Sequence, residues 1–162
     1  MKIVAEHITS ENFRPYGTCI DLYQNQALVK HFSTDSFADH MTIAPLIDTP
    51  GHLGLTVGSP APYSVGAMEK HAHTQEAIFC LAEPVILCVA ASRGNEPPLA
   101  EDVRVFLIHP GQVAVMERNI WHDACHGPVS YTHLDVYKRQ RLVRFRIGSR
   151  QRYVRFMDAA DG

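Results

Sequence analysis

The sequence predicts an all-β domain, a sandwich or barrel with little helix, and three observations carry that prediction. Short apolar or alternating runs recur at regular intervals along the chain. Turn residues punctuate them at Thr49 to Gly51, Gly58 to Pro60, Gly94 to Pro98 and Pro110-Gly111. No sustained helical period interrupts the first 127 residues. At 162 residues the chain fits one domain, able to bury roughly 70% of the surface its unfolded form exposes.

In chain order the candidate strands are Lys2–His7, Thr18–Leu22, Ala27–Phe32, Met41–Leu46 and Gly54–Val57. Ser64–His73, Glu76–Leu81, Val85–Ala90, Val103–Ile108 and Gln112–Glu117 follow. One helical turn breaks the series: Ser10 is placed to cap a turn that runs to Phe13 and is closed by Pro15 and Gly17.

Charge divides the chain unevenly. Residues 1–137 carry 7 Lys and Arg against 15 Asp and Glu, and residues 138–162 carry 8 against 2, within a net charge of −2. Such a break marks a boundary, a basic arm or two sequences of different origin. The motif-bearing segments end before Pro128, so the chain divides into a domain at 1–127 and an anomalous basic tail at 128–162.

The four cysteines, Cys19, Cys80, Cys88 and Cys125, form no CxxC pair, and Cys80 and Cys88 lie in apolar runs. That pattern suits buried thiols in a reducing cytoplasm rather than a disulfide framework. The longest apolar run, Val85 to Ala91, falls far short of the ~20 residues of a membrane span, and the N-terminus has no secretory apolar core. The expectation is a soluble cytoplasmic protein without a membrane partner.

Two clusters carry chemistry. EKHAHTQE (69–76) places Glu69, His71 and His73 on one face if the segment is a strand, because successive side chains alternate. HPGQVAVMERNIWHDACH (109–126) follows a Pro-Gly turn with an alternating strand and reaches His122. Neighbouring strands of a small barrel could gather these imidazoles and a carboxylate around a divalent ion at ~2.0–2.2 Å. Burying co-facial histidines without a partner is costly, which favours His71, His73 and His122 as ligands. Glu76 needs a one-residue bulge to join that face, and Gln75, already on it by parity, is its rival. Cys125 and His126 are alternates to His122. His7, His31, His40, His52 and His109 read as surface or hydrogen-bonded residues, and Trp121 as packing.

The two clusters resemble the paired motifs of cupins, which implies a double-stranded β-helix, or jelly-roll barrel, in a single domain. More narrowly, ITSENFRPYGTCID, MEKHAHTQEAIFC and RNIWHDACHG resemble, in order, segments of the ureidoglycolate lyase family of small cupins. The resemblance covers residues 1–127. It implies a metal-dependent lyase of purine and allantoin catabolism that releases urea from ureidoglycolate and leaves glyoxylate, a small-molecule substrate, and a homodimer. The cupin-like spacing gives His71, His73, Glu76 and His122 as ligands of one divalent transition metal such as Ni, Mn or Zn, a fuller set than in family members, which often have an apolar residue at the position of His73 and Gln at that of Glu76. Glu69 is then placed to relay protons or to orient a ligand imidazole, and Arg118 to clamp a substrate carboxylate or to stand solvated. A non-catalytic cupin that binds a small acid or sugar, and a cupin sugar isomerase, are the competing readings.

Beyond Gly127, VSYTHLDVYKRQ resembles a translated sequencing adaptor, which implies that the chain from about Pro128 is of foreign origin. Against that, Arg141–Ile147 alternates Arg with apolar residues, as a final barrel strand would. A basic arm for nucleic acid is a third reading, but no motif supports it, and the expectation is no nucleic-acid partner.

Overall fold

The computed structural model describes residues 3–58, 65–80, 82–94, 96–127 and 151–158. The strands are β1 (Glu6–His7), β2 (Gly17–Asp21), β3 (Val29–Ser33), β4 (Ala38–Thr42), β5 (Gly51–Gly58) and β6 (Glu76–Cys80). They continue with β7 (Val85–Ala90), β8 (Arg104–Ile108), β9 (Gln112–Met116), β10 (Trp121–His122) and β11 (Gln151–Asp158). One sheet has the order β1-β8-β7-β10, a second β2-β9-β6-β11-β5, and β3 and β4 form a separate hairpin. Every pairing but β1 with β8 is antiparallel. The fold is all-β and cupin-like.

Alternation builds the core between the two large sheets. Cys19, Ile78, Cys80, Ala114 and Met116 from one meet Val85, Leu87, Val89, Phe106 and Ile108 from the other. Phe13 and Tyr16 close one end against Phe106, with ring centroids 5.3 and 5.8 Å from it. β7 is buried on both faces, because Ile86 and Cys88 turn outward into a second apolar cluster with Val105. A β-strand covered on both sides reads as an unbroken apolar run, as VILCVA does. The outer face of β2, β6 and β9 is covered by Val29, Leu22, Leu46 and Ile47.

Several expected elements shift. The single helical turn α1 (Ser10–Phe13) is present, but Thr9 caps it: its hydroxyl accepts from the Asn12 amide while the Asn12 side chain accepts from Thr9 N–H. That reciprocal pair satisfies two otherwise orphaned amides, which Ser10 inside the turn does not. The strand expected at Met41–Leu46 forms earlier, at β4, and Lys2–His7 shortens to β1.

The largest correction concerns Ser64–His73. From Val65 to Gln75 the only strand-like contact is a bridge from Glu69 to His122. No neighbouring strand supplies a ladder to residues 70–75, so polar alternation there does not produce a strand. In the tail, Arg141–Ile147 lies outside the described residues, whereas β11, which the sequence did not suggest, pairs with both β5 and β6.

Candidate active site

The strand register brings two inward positions together. Glu76 opens β6 with the parity of the core residues Ile78 and Cys80, and is 2% exposed. His122 pairs with Val89, itself a core residue, and is likewise 2% exposed. The double backbone bridge between Glu69 and His122, 2.8 Å in each direction, fixes Glu69 beside it. His71 then arrives from the irregular span 70–75, with its carbonyl accepting from Asn119 N–H at 2.8 Å.

Glu76 Oε2 stands 3.0 Å from His71 Nε2 and 3.1 Å from His122 Nε2, with the two imidazole centroids 5.1 Å apart. Glu69 Oε1 lies 3.9 Å from His122 Nε2, on a side chain that is 51% exposed. One ligand atom from each of Glu69, His71 and His122 falls within 4.8 Å of the others.

His122 supplies the test of whether a cation fits. Its Nδ1 lies 3.0 Å from the Ile120 carbonyl, which can only accept, so Nδ1 carries the proton and Nε2 presents a lone pair. That buried Nε2 has no hydrogen-bond partner among the described residues, although Glu76 Oε2 is close. In the neutral ring that lone pair faces a carboxylate oxygen, which is repulsive in a buried site unless a proton or a metal cation lies between them. Ligand atoms around an ion with ~2.1 Å bonds sit roughly 3.0–3.4 Å apart, as the two Glu76–imidazole contacts do, whereas Glu69 Oε1 lies farther out, 3.9 Å from His122 Nε2. The donor set of imidazoles and carboxylates suits a divalent transition metal.

The other expected residues are placed differently. His73 is exposed and stands outside the group of ligand atoms that converge. Without a strand, the alternation that would put it beside His71 does not operate. Gln75, the rival of Glu76, donates to Glu117 Oε1 at 2.9 Å and accepts from Asp48 N–H at 3.2 Å. Arg118 forks onto Asp48, with Nη2 to Oδ1 at 2.6 Å and Nη1 to Oδ2 at 3.1 Å, and its Nε donates to the His73 carbonyl at 3.1 Å.

His126 lies 3.8 Å from Asp123, and Cys125 packs in the core between the sheets. Trp121 carries the Lys70 ammonium 4.8 Å above its ring. Burial pushes the Cys19 thiol up to about 11 and the Cys80 thiol up to about 12, so neither presents a thiolate for chemistry.

Sequence reasoning missed Asp48, a single acid in a loop with no local signature. It also missed the Thr49–Thr74 hydroxyl contact at 2.9 Å.

Fold and centre together define a small cupin-like protein in which two histidines meet a buried carboxylate. The family model described as ureidoglycolate lyase matches residues 1–140. The ureidoglycolate lyase of Pseudomonas syringae pv. syringae is 27% identical over 125 residues, covering 75% of this chain and 73% of that protein. That of Brucella anthropi is 27% identical over 126 residues, covering 74% and 72%. That of Pseudomonas savastanoi pv. phaseolicola is 26% identical over 125 residues, covering 75% and 73%. The chain belongs to the ureidoglycolate lyase family.

Proposed function

We propose that this chain is a lyase that splits ureidoglycolate into glyoxylate and urea. The observation that carries the reading is the buried contact of Glu76 with His71 and His122, in a chain of this family. The substrate carbon bears a hydroxyl, a ureido nitrogen and a carboxylate. In the reaction the carbon–nitrogen bond breaks, the hydroxyl oxygen becomes the glyoxylate carbonyl, its proton leaves, and the departing nitrogen gains one. Atoms and charge balance without an oxidant.

His71, Glu76 and His122 would hold a divalent transition metal, nickel, manganese or zinc, whose chemistry there is Lewis acidity toward the hydroxyl and carboxylate oxygens. His73, expected as a further ligand, stands exposed beside this set. Glu69 is the proton carrier. Its carboxylate is half exposed yet anchored through its backbone to His122, so it reaches both the substrate and water. It takes the hydroxyl proton and returns one to the ureido nitrogen.

We further propose that the protein acts as a cytoplasmic homodimer. All four cysteines are buried and none forms a disulfide, which suits a reducing compartment. Among the described residues no helix is long and apolar enough to cross a membrane. Phe32, Phe37 and Met41 on the β3–β4 hairpin are each more than half exposed, an apolar surface that a second copy would cover.

The deciding experiment supplies ureidoglycolate to protein loaded with each metal and to chelated protein, and follows glyoxylate and urea together. Equal release of both products, lost on chelation and restored by metal, is expected. Glu69→Gln should lose roughly 10²–10⁴-fold in kcat with KM little changed. A folded, metal-loaded sample that binds small acids or sugars without turnover would favour a binding module, and interconversion of sugars an isomerase.

A further inference from the structure

The span 70–75 carries His71 and belongs to no ladder, so something other than strand pairing must hold that imidazole. Two places in the chain do so. The turn after β9 reaches it through Asn119 N–H to the His71 carbonyl, Arg118 Nε to the His73 carbonyl, and Glu117 to the Gln75 amide. Asn119 adopts a φ of 64°, a left-handed conformation that asparagine tolerates better than most residues, at the point where its N–H meets His71. From the other side the 48–49 loop reaches it through Asp48 N–H to Gln75 Oε1 and Thr49 to Thr74.

The Asp48–Arg118 fork joins these two anchors directly. A planar guanidinium held by two carboxylate oxygens is fixed in orientation, so its remaining Nε–H is aimed at the His73 carbonyl.

We propose that Asp48 and Arg118 are positioning residues, whose fork holds the span 70–75 and, through it, His71 at the centre. This rests on the reading of His71 as a metal ligand. It also gives Arg118 work that does not involve the substrate carboxylate. The hydrogen bond from Arg118 holds the Asp48 carboxyl below the usual carboxylate range, and desolvation opposes that shift only in part. The contact is therefore present above that range and is lost only as pH falls through the lowered value. The fork is intact at neutral pH.

The test titrates nickel ion into full-length wild type, Asp48→Asn, Arg118→Gln and Arg118→Lys, and measures kcat and KM for ureidoglycolate on the same samples. Arg118→Gln should weaken nickel binding roughly 10–100-fold and lower kcat, with KM within about twofold. Asp48→Asn should do the same to a smaller extent, and the double variant should be no worse than Arg118→Gln, because the two act as one device. Arg118→Lys should rescue little, since an ammonium cannot make the fork.

Unchanged nickel affinity overturns the proposal. If KM also rises about tenfold in Arg118→Gln and falls in Asp48→Asn, Arg118 is a substrate clamp that Asp48 competes for. Should wild type take up no nickel, the metal reading fails separately. The fork is then read from imidazole NMR signals, where Arg118→Gln should move His71 and leave His122 in place, and movement of neither overturns it.

Discussion

His71 and His122 face the same carboxylate oxygen but are held by different physics. His122 sits on a strand, paired to β7, bridged twice to Glu69, with its Nδ1 on the Ile120 carbonyl. His71 sits on an irregular span held by the Asn119 and Asp48 N–H groups and by arginine, glutamate and threonine side chains from two loops. A ladder distributes its constraint over many backbone bonds inside the core. A set of side-chain tethers concentrates it in a few partly exposed contacts, each individually weak. Damage to the ladder should therefore disturb stability and both imidazoles, whereas damage to the tethers should displace His71 alone.

The largest effects should come from the two imidazoles themselves. Partners one shell beyond a metal ligand are commonly worth roughly 10–100-fold, so loss of a ligand should exceed that. His122→Ala and His71→Ala should each fail to retain metal through dialysis, as elemental analysis would read, with turnover falling about 10²-fold or more. If His71→Ala keeps its metal while His122→Ala loses it, His71 is an outer partner and the two are not equivalent ligands.

What the sequence made legible follows the same division. β7 was readable to the residue because its unbroken apolar run reports burial on both faces. β9 was readable because alternation between a Pro-Gly turn and a polar exit has few other solutions. Glu76 opens an expected strand, whereas His122 lies on β10, which no strand pattern announced and which only the spacing of the two clusters singled out. Ser64–His73 reads as strand because an alternation of polar residues imitates the pattern, yet its described residues 65–73 enter no ladder. Its real supports, Asp48 and Arg118, lie 70 positions apart in sequence. No local pattern announces a contact that only the folded chain creates. β11 escaped for a similar reason: expectation settled on Arg141–Ile147, which alternates more cleanly than the segment that pairs.

Removing β11 should sharpen the contrast from the ladder side. β11 lies between β5 and β6, paired with β5 along its full length and with β6 from Cys80 to Ala77, next to Glu76. Truncation after residue 127 should open that sheet and lower the melting temperature by on the order of 10 °C, a loss of a few kcal/mol for a domain this size. Circular dichroism melts of the two chains measure it. An unchanged melt and unchanged turnover would show that residues 128–162 contribute nothing to the fold, as a foreign tail would.

A smaller change in the same sheet should act through one atom. Gly17 in β2 faces Met116, which on its other side faces Glu76. Its φ is 154°, and a Cβ there would fall 1.9 Å from the Val115 carbonyl oxygen, a backbone atom that cannot yield alone. Gly17→Ala should destabilise by ~2–4 kcal/mol in urea unfolding. Gly66→Ala, where a Cβ meets nothing within 4 Å, should stay within about 0.5 kcal/mol. Near-equal effects would mean that β2 can shift away from β9 at little cost and that the ladder is softer than its hydrogen bonds imply.

The mildest probe is acid, which should reach the ladder before the tethers. His109 enters the turn between β8 and β9, partly buried, with its Nε2 2.9 Å from His7 Nδ1 and the two rings stacked at 5.1 Å. Burial first, and the neighbouring His7 second, hold its pKa below the ordinary imidazole value. The unfolded chain therefore takes up this proton more readily than the folded one. Stability should fall as pH drops through the unfolded imidazole range near ~6.5 and level off once pH is below the lowered folded value. Asp48 stays charged across that window, because Arg118 holds its carboxyl low. Urea midpoints measured from pH 7.5 to 5.5 should decline in wild type and decline less in His109→Gln, and the Asp48 carboxyl and Arg118 Nε–H NMR signals should hold their native positions in the folded fraction. If those signals move before the midpoint falls, the tethers yield to acid first and the contrast between the two histidines runs the other way.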